Sequence, residues 1–239
     1  MVSIPIALKS REEIASALLD RYAIDYVFLG RIFQDKVTNK SCLIDIWDYQ
    51  EADGLDSFAA PVKQQKKASK IVYLTSEDVG YSACVKMAQF AQLFLNIGGI
   101  EVKVDSTGIV RDKNKWLENY NSQDVFDIYS LFVTLIEADS YYYSCGMKNF
   151  GLADVSIDIT EDAGLAIYVM NVFNYYRLTE SVVLRDGQTF QPDIECPVYR
   201  MKWKEWEESA TSDSMLYNPR GKWHLSRVLD DLDISYQIN

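Results

Sequence analysis

The chain has 239 residues, and its 24 Lys and Arg against 35 Asp and Glu give a formal net charge of −11. At 48% hydrophobic and 25% charged residues it has the balance of a folded globular protein, not a disordered one. The negative charge argues against nucleic acid as a partner, because phosphate backbones are held by clustered Lys and Arg. Met1-Val2-Ser3-Ile4-Pro5-Ile6 runs at once into Lys9, Arg11, Glu12 and Glu13, which is not the pattern of a secretory signal. The longest apolar stretch, 88–100, is too short and too polar to cross a bilayer, so no membrane partner is expected. Cys42, Cys84, Cys145 and Cys196 lie far apart with no Cys-x-x-Cys pair, which fits reduced thiols in a cytoplasmic protein better than a zinc site.

In chain order, residues 3–8 read as a short strand. Ser10-Arg11-Glu12-Glu13 has the form of a capping box and opens a helix over 10–22 with Ile14, Ala17, Leu18 and Tyr22 on its apolar side. Segments 26–33 and 42–47 read as strands. Residues 48–65 are polar, contain Gly54 and Pro61 below Glu51, Asp53 and Asp56, and lead into Lys63-Gln64-Gln65-Lys66-Lys67. They read as a surface loop and internal boundary. This divides the chain into an N-terminal α/β part (1–62), a main α+β domain (63–203) and a C-terminal extension (204–239). Residues 70–75 form a strand, a helix over 77–96 stops at Gly98-Gly99, and 100–104 returns as a strand. A short helix over 112–120 and a buried strand over 129–136 follow.

Then a strand over 155–159, a helix over 161–177 and a returning strand over 182–184 repeat the earlier plan. Ser76-Glu77-Asp78-Val79-Gly80 matches Thr160-Glu161-Asp162-Ala163-Gly164 at an offset of 84 residues. Two related halves is one explanation. Convergent capping is the other, since a hydroxyl followed by acids suits any helix start. The expected fold is α+β, a mostly antiparallel sheet with helices packed on it.

Charge is concentrated. Residues 121–195 hold 3 basic and 12 acidic side chains, so most of the excess negative charge lies there. Tyr129, Tyr141, Tyr142, Tyr143, Tyr168, Tyr175 and Tyr176 fall in the same third. The acids serve solubility or form a surface for a basic partner; the tyrosines pack in a core or anchor that partner. If they form a surface, the contacts expected are Asp139, Tyr141, Tyr142, Tyr143, Asp154 and Asp158. His224 is the only histidine, near the turn Asn218-Pro219-Arg220-Gly221, and reads as a surface residue. Without a second imidazole or a Gly-rich phosphate loop, no catalytic residue, metal or cofactor is assigned.

Cys145-Gly146-Met147-Lys148-Asn149-Phe150-Gly151-Leu152 carries a resemblance. So do Lys67-Ala68-Ser69-Lys70-Ile71-Val72, Val104-Asp105-Ser106-Thr107-Gly108, segment 131–135 and Leu184-Arg185-Asp186-Gly187-Gln188-Thr189-Phe190. Over about residues 65–203 the chain resembles the bacterial domain of unknown function 4261 family. That family's pattern has a His-Lys-Ala run, a Gly-x-x-x-Phe-Gly turn and an Asp-Gly-x-Thr turn. Gly146, Phe150, Gly151, Asp186, Gly187 and Thr189 stand at the matching places, whereas Lys66 replaces the family's histidine. The resemblance implies a bacterial source and an α+β fold, and no activity.

The expected function is a non-enzymatic immunity protein that neutralises a cognate toxin or effector with a basic surface. One alternative is a hydrolase using Asp105, Ser106, Asp186 and Thr189 at strand ends. The other is a secretion adaptor or chaperone.

Overall fold

The computed structural model describes residues 1–49, 68–180, 182–206 and 216–228. The fold is α+β, as expected, and the chain divides into two compact units, Met1–Phe132 and Val133–Asn239. Among the described residues no helix is long and apolar enough to cross a membrane.

The first unit is built on β1 (Val2–Ile6), β2 (Tyr26–Leu29), β3 (Ile32–Asp35), β4 (Ser41–Asp48), β5 (Lys70–Thr75), β6 (Glu101–Val104) and β7 (Ile109–Asp112). They form one antiparallel sheet in the order β2-β3-β4-β5-β1-β6-β7. Strand β1 lies between β5 and β6 and every one of its residues is buried. Pro5 is tolerated there because the β6 ladder covers only Val2 and Ser3; beside Pro5 the edge is reached only by the Ile100 N–H, which donates to the Pro5 carbonyl at 2.9 Å.

Helix α1 (Arg11–Tyr22) starts as expected. Ser10 Oγ accepts from the Glu13 N–H at 3.2 Å, while Glu13 reaches back to the Lys9 N–H rather than to Ser10. Helix α2 (Tyr81–Asn96) buries Met87, Phe90, Leu93, Phe94 and Leu95. It begins four residues later than expected. Gly80, at φ +114°, is its N-cap, and Ser76 instead accepts from the Asp78 N–H in a local turn. Helix α3 (Lys113–Ser122) is capped by Asp112, and α4 (Val125–Phe132) by Asp124 Oδ1, which accepts from the Phe126 and Asp127 N–H groups.

Three strand expectations are corrected. Segment 26–33 is a hairpin that turns at Gly30, whose φ of +56° suits glycine. Segment 129–136 is the end of α4 followed by a strand from Thr134, because Ile128, Leu131 and Phe132 are buried at helical spacing and a short apolar run does not reveal its period. Residues 182–184 form no strand.

The second unit holds β8 (Thr134–Glu137), β9 (Tyr141–Cys145), β10 (Asp154–Asp158), β11 (Thr189–Phe190), β12 (Tyr199–Lys204) and β13 (Lys222–Arg227). Their order is β11-β12-β13-β10-β9-β8, and only β10 with β13 is parallel. Helix α5 (Ala163–Thr179) covers one face, where Val155, Ile157, Ala166, Val169, Met170, Phe173, Tyr199, Met201 and Leu225 form the core.

The boundary expected at 62–63 lies outside the described residues, as does the Lys63–67 run. The strands on either side of it, β4 and β5, are antiparallel neighbours in one sheet. Residues 222–227, expected in a C-terminal extension, form an internal strand between β12 and β10. The segments matched at the 84-residue offset take different roles: Gly80 is an N-cap with positive φ, whereas Gly164 lies inside α5 and Asp162 is the cap. Cys42, Cys84 and Cys145 are buried thiols outside any disulfide, and burial pushes the pKa of each up to about 12.

Gly99 is closely enclosed. A Cβ there would meet Ile4 Cγ2, Leu95 Cα and Phe94 O at 2.9 Å, and two of these are backbone atoms that cannot swing away. Gly99→Ala should cost about 1–3 kcal/mol through overpacking. The urea unfolding midpoint measures it, and an unchanged midpoint would mean that β1 and α2 relax freely.

Candidate functional site

Helix α5 departs from the pattern of a surface helix. Its 17 residues include one charged side chain, Arg177, and that one is buried. Helical spacing turns Ala166, Val169, Met170, Phe173, Asn174 and Arg177 inward. The outer side exposes Ile167 (46%), Tyr168 (44%), Tyr175 (39%) and Tyr176 (37%) where charges are usual. Beside it runs a groove of about 830 Å³ between Val172, Phe173 and Tyr176 of the helix and Val183, Leu184 and Phe190.

Acidic groups surround this apolar surface. Asp162 and Glu180 cap the two ends of α5. Tyr168 donates its hydroxyl to Asp193 Oδ2 at 2.9 Å, which pulls that carboxyl below the usual range, and Glu195 lies in the same turn. Asp186 is exposed between groove-lining Leu184 and Gly187, with Arg185 the one cation of that segment.

On β10 the sheet holds a buried carboxylate. Asp154 Oδ1 accepts from the Met147 N–H (3.1 Å) and Ser144 Oγ (3.3 Å), and Oδ2 from Asn218 Nδ2 (2.7 Å). Arg177 lies within its field and donates to the Ala153 carbonyl at 2.9 Å. Burial still dominates and pushes the Asp154 carboxyl up to about 6. The Gly146-Met147-Lys148-Asn149-Phe150-Gly151 segment is a 3-10 turn between two positive-φ glycines, and it aims the Met147 N–H at Asp154. From the same turn Lys148 Nζ donates to the Tyr217 carbonyl at 2.8 Å, so residues 217–218 are held from two sides.

Two residues further along β10, a hydroxyl, an imidazole and a carboxylate meet. Ser156 Oγ lies 3.1 Å from His224 Nδ1, and Asp158 Oδ1 lies 3.5 Å from Nε2. Burial, then Lys204, holds the imidazole below its ordinary pKa against the pull of Asp158, with Lys222 and Lys202 adding to the depression. The composition is that of an acyl-transfer triad, but Ser156 is only 1% exposed, so its hydroxyl is out of reach of a substrate. His224 is not the surface-turn residue its sequence neighbours suggest. The parallel register Ser156↔His224 brings it to β10, and no local signal announces a pairing across 68 residues.

The six expected contact residues do not form one surface. Strand alternation sends Tyr142 toward α5 and its core, and Tyr141 and Tyr143 to the opposite face. Tyr143 is buried, its ring 5.6 Å from that of Tyr141 and 5.8 Å from that of Trp206. Asp154 is completely enclosed rather than solvated at a strand edge. Asp139, in the β8–β9 turn, and Asp158 are exposed.

Much of the acidic excess is engaged within the fold. Asp124 and Asp162 cap helices, Asp154 is the buried acceptor, and Glu161 accepts from Tyr199 Oη at 3.0 Å. Asp186 accepts from the Trp203 N–H and Asp193 from Tyr168. Of the groups considered for a hydrolase, Asp105 accepts from Ser3 Oγ at 3.2 Å beside Ser106 in the β6–β7 turn of the first unit. Asp186 and Thr189 belong to the second unit, before and within β11. Among the described residues no three His, Cys, Asp or Glu side chains are grouped to hold a metal ion. The signal that could have found α5 was its sequence: 17 residues with one charge and three tyrosines are unusual for a helix facing water.

No protein-family model, curated protein or solved structure matches the chain.

Asp154 should leave a signature in stability. Its folded-state pKa of about 6 lies above the ordinary 3.8, so between these values the folded chain binds a proton that the unfolded chain has lost. Its contribution therefore rises as pH falls from about 7 to 4, by roughly 3 kcal/mol in total. His224, lowered from its ordinary value, acts in the opposite sense below about pH 6.5. Asp154→Asn should remove the first contribution alone, so the gap between variant and parent widens on acidification. Urea midpoints at pH 7 and pH 4.5 decide it; a gap independent of pH rules out a raised Asp154.

Proposed function

We propose that this chain is a non-enzymatic binding protein, a cytoplasmic immunity partner that neutralises a cognate toxin or effector by docking it on the outer side of α5. The observation that carries this reading is the uncharged face of Ile167, Tyr168, Tyr175 and Tyr176 beside an open groove in which Gln188, Thr189 and Gln191 stand among Val172, Leu184 and Phe190. Tyrosines supply large contact area with few rotors, and such residues dominate binding energy at interface centres. The acids at the rim, Asp162, Glu180, Asp186, Asp193 and Glu195, favour a partner with basic residues around an apolar projection. They also disfavour a second copy of this chain, because two acidic rims would meet.

The reading keeps the expected acidic, tyrosine-rich surface but moves it from Tyr141–Tyr143 to α5. The resemblance of residues 65–203 to the domain of unknown function 4261 family belongs to this proposal and adds a bacterial setting. Buried reduced thiols at Cys42, Cys84 and Cys145 fit a cytoplasmic address. The enclosure of Ser156 favours binding over hydrolysis.

The test is co-purification with the product of the adjacent gene, followed by kinetics. Tyr168→Ala and Tyr175→Ala should each speed dissociation about tenfold or more, as loss of an anchoring side chain does. Glu180→Gln with Glu195→Gln should instead slow association and flatten its salt dependence. Exposed charges act over a Debye length of about 8 Å at physiological salt and about 3 Å at 1 M. Unchanged dissociation in both tyrosine variants would remove α5 as the docking face.

A further inference from the structure

The side of the second sheet turned away from α5 carries a row of cations that the acidic composition conceals. Side chains alternate along β12, so Tyr199 and Met201 enter the core while Arg200, Lys202 and Lys204 share the opposite face. Register sets Arg200 opposite Ser226, Lys202 opposite His224 and Lys204 opposite Lys222. Arg200 and Lys202 are exposed and Lys204 is half-buried. The acids near this part of the sheet are engaged elsewhere: Asp158 lies against His224, and Glu161 faces Arg227 at 3.6 Å and accepts from Tyr199. Lys222 is buried beneath the Tyr141 and Trp206 rings, 4.2 and 5.2 Å from their centroids. Among the described residues no carboxylate pairs with Arg200, Lys202 or Lys204.

We propose that Arg200, Lys202 and Lys204, with the Ser226 hydroxyl, form a binding site for a phosphate-bearing ligand. Alternate residues of a strand stand about 7 Å apart, and a cross-strand neighbour about 5 Å away. Arg200 and Lys204 thus stand about 14 Å apart along β12 with Lys202 midway, and their long, flexible side chains can reach inward to one tetrahedral anion held beside Lys202. The guanidinium supplies a two-pronged donor, the ammonium groups supply point charges, and Ser226 supplies a hydroxyl. A phosphate dianion compensates most of that charge, whereas a single carboxylate leaves two cations facing each other. His224 is not a ligand, since Ser156 and Asp158 occupy its two ring nitrogens, but it stands beside the site. This face and the outer side of α5 lie on opposite sides of the sheet, so either reading stands if the other fails.

The lone histidine gives the experiment its reporter. The full chain is titrated with inorganic phosphate and, separately, with a nucleoside monophosphate, at constant ionic strength made up with chloride. The His224 ring proton is followed by NMR across pH. A bound dianion offsets Lys202 and Lys204, so the His224 pKa should rise saturably by about half a unit or more. Lys202→Ala with Lys204→Ala should weaken that response about tenfold, with an unchanged unfolding midpoint because Lys202 is exposed and Lys204 half-buried. A tighter response to the nucleoside monophosphate assigns the site to nucleotides; equal responses assign it to the phosphate group alone. A response that never saturates, or that survives in the double variant, overturns the proposal. Saturation by a glutamate-rich peptide but not by phosphate also overturns it and gives the face to an acidic protein.

Discussion

The second unit depends on one pairing, the parallel ladder between β10 and β13. It sets Asp154 beside Lys222, Ser156 beside His224 and Ile157 beside Leu225. Because side chains alternate across a strand, this single register decides what each face of the sheet is for. Val155, Ile157 and Leu225 go under α5 and make the core. Asp154, Ser156, Asp158, Lys222 and His224 go to the other side and make a polar face. A slip of one residue would exchange the two sets and bury charges against the helix.

That register is anchored where β10 begins. Asp154 is enclosed, and its contacts reach β9 through Ser144, the 3-10 turn through Met147, and the 217–218 segment through Asn218. A buried carboxylate costs more than its neutral donors return, which is why its pKa rises rather than falls. Asp35 in the first unit makes the contrast. Burial pushes Asp35 up as well, but Lys86 Nζ at 2.8 Å and the Val37 and Thr38 N–H groups outweigh it, leaving its carboxyl at about 2. The ammonium contact accounts for much of the difference: one group stays ionised and fastens α2 to β3, while the other sits near its titration point.

Charge in this protein is sorted by job rather than spread. Many acids of 121–195 are used as acceptors for helix caps, turns and buried hydroxyls. Asp162, Glu180, Asp186, Asp193 and Glu195 lie around α5, whose own exposed side has none. Arg200, Lys202 and Lys204 of β12 stand on the opposite side of the same sheet. A net charge of −11 thus hides two faces of different character in a single unit.

The α+β class, the positions of β4 and β5, the Ser10 cap and the glycine turns at 146–151 and 187 were legible in the sequence, because propensity, capping and positive φ are local properties. The helical character of 125–132 was not, since six apolar residues interrupted by Asp127 and Ser130 fit either period until their neighbours choose. The tyrosine triplet was legible as composition but not as a surface: alternation sends Tyr142 one way and Tyr141 and Tyr143 the other. Asp154 looked like a surface acid because nothing near it in sequence shows that Asn218 and Ser144 will enclose it. His224 met Ser156 and Asp158 only through a ladder between strands 68 residues apart. Local chemistry therefore determined which segments become helix, strand or turn. Only the tertiary structure decided which side of each strand meets water, because that depends on register with partners distant in the chain.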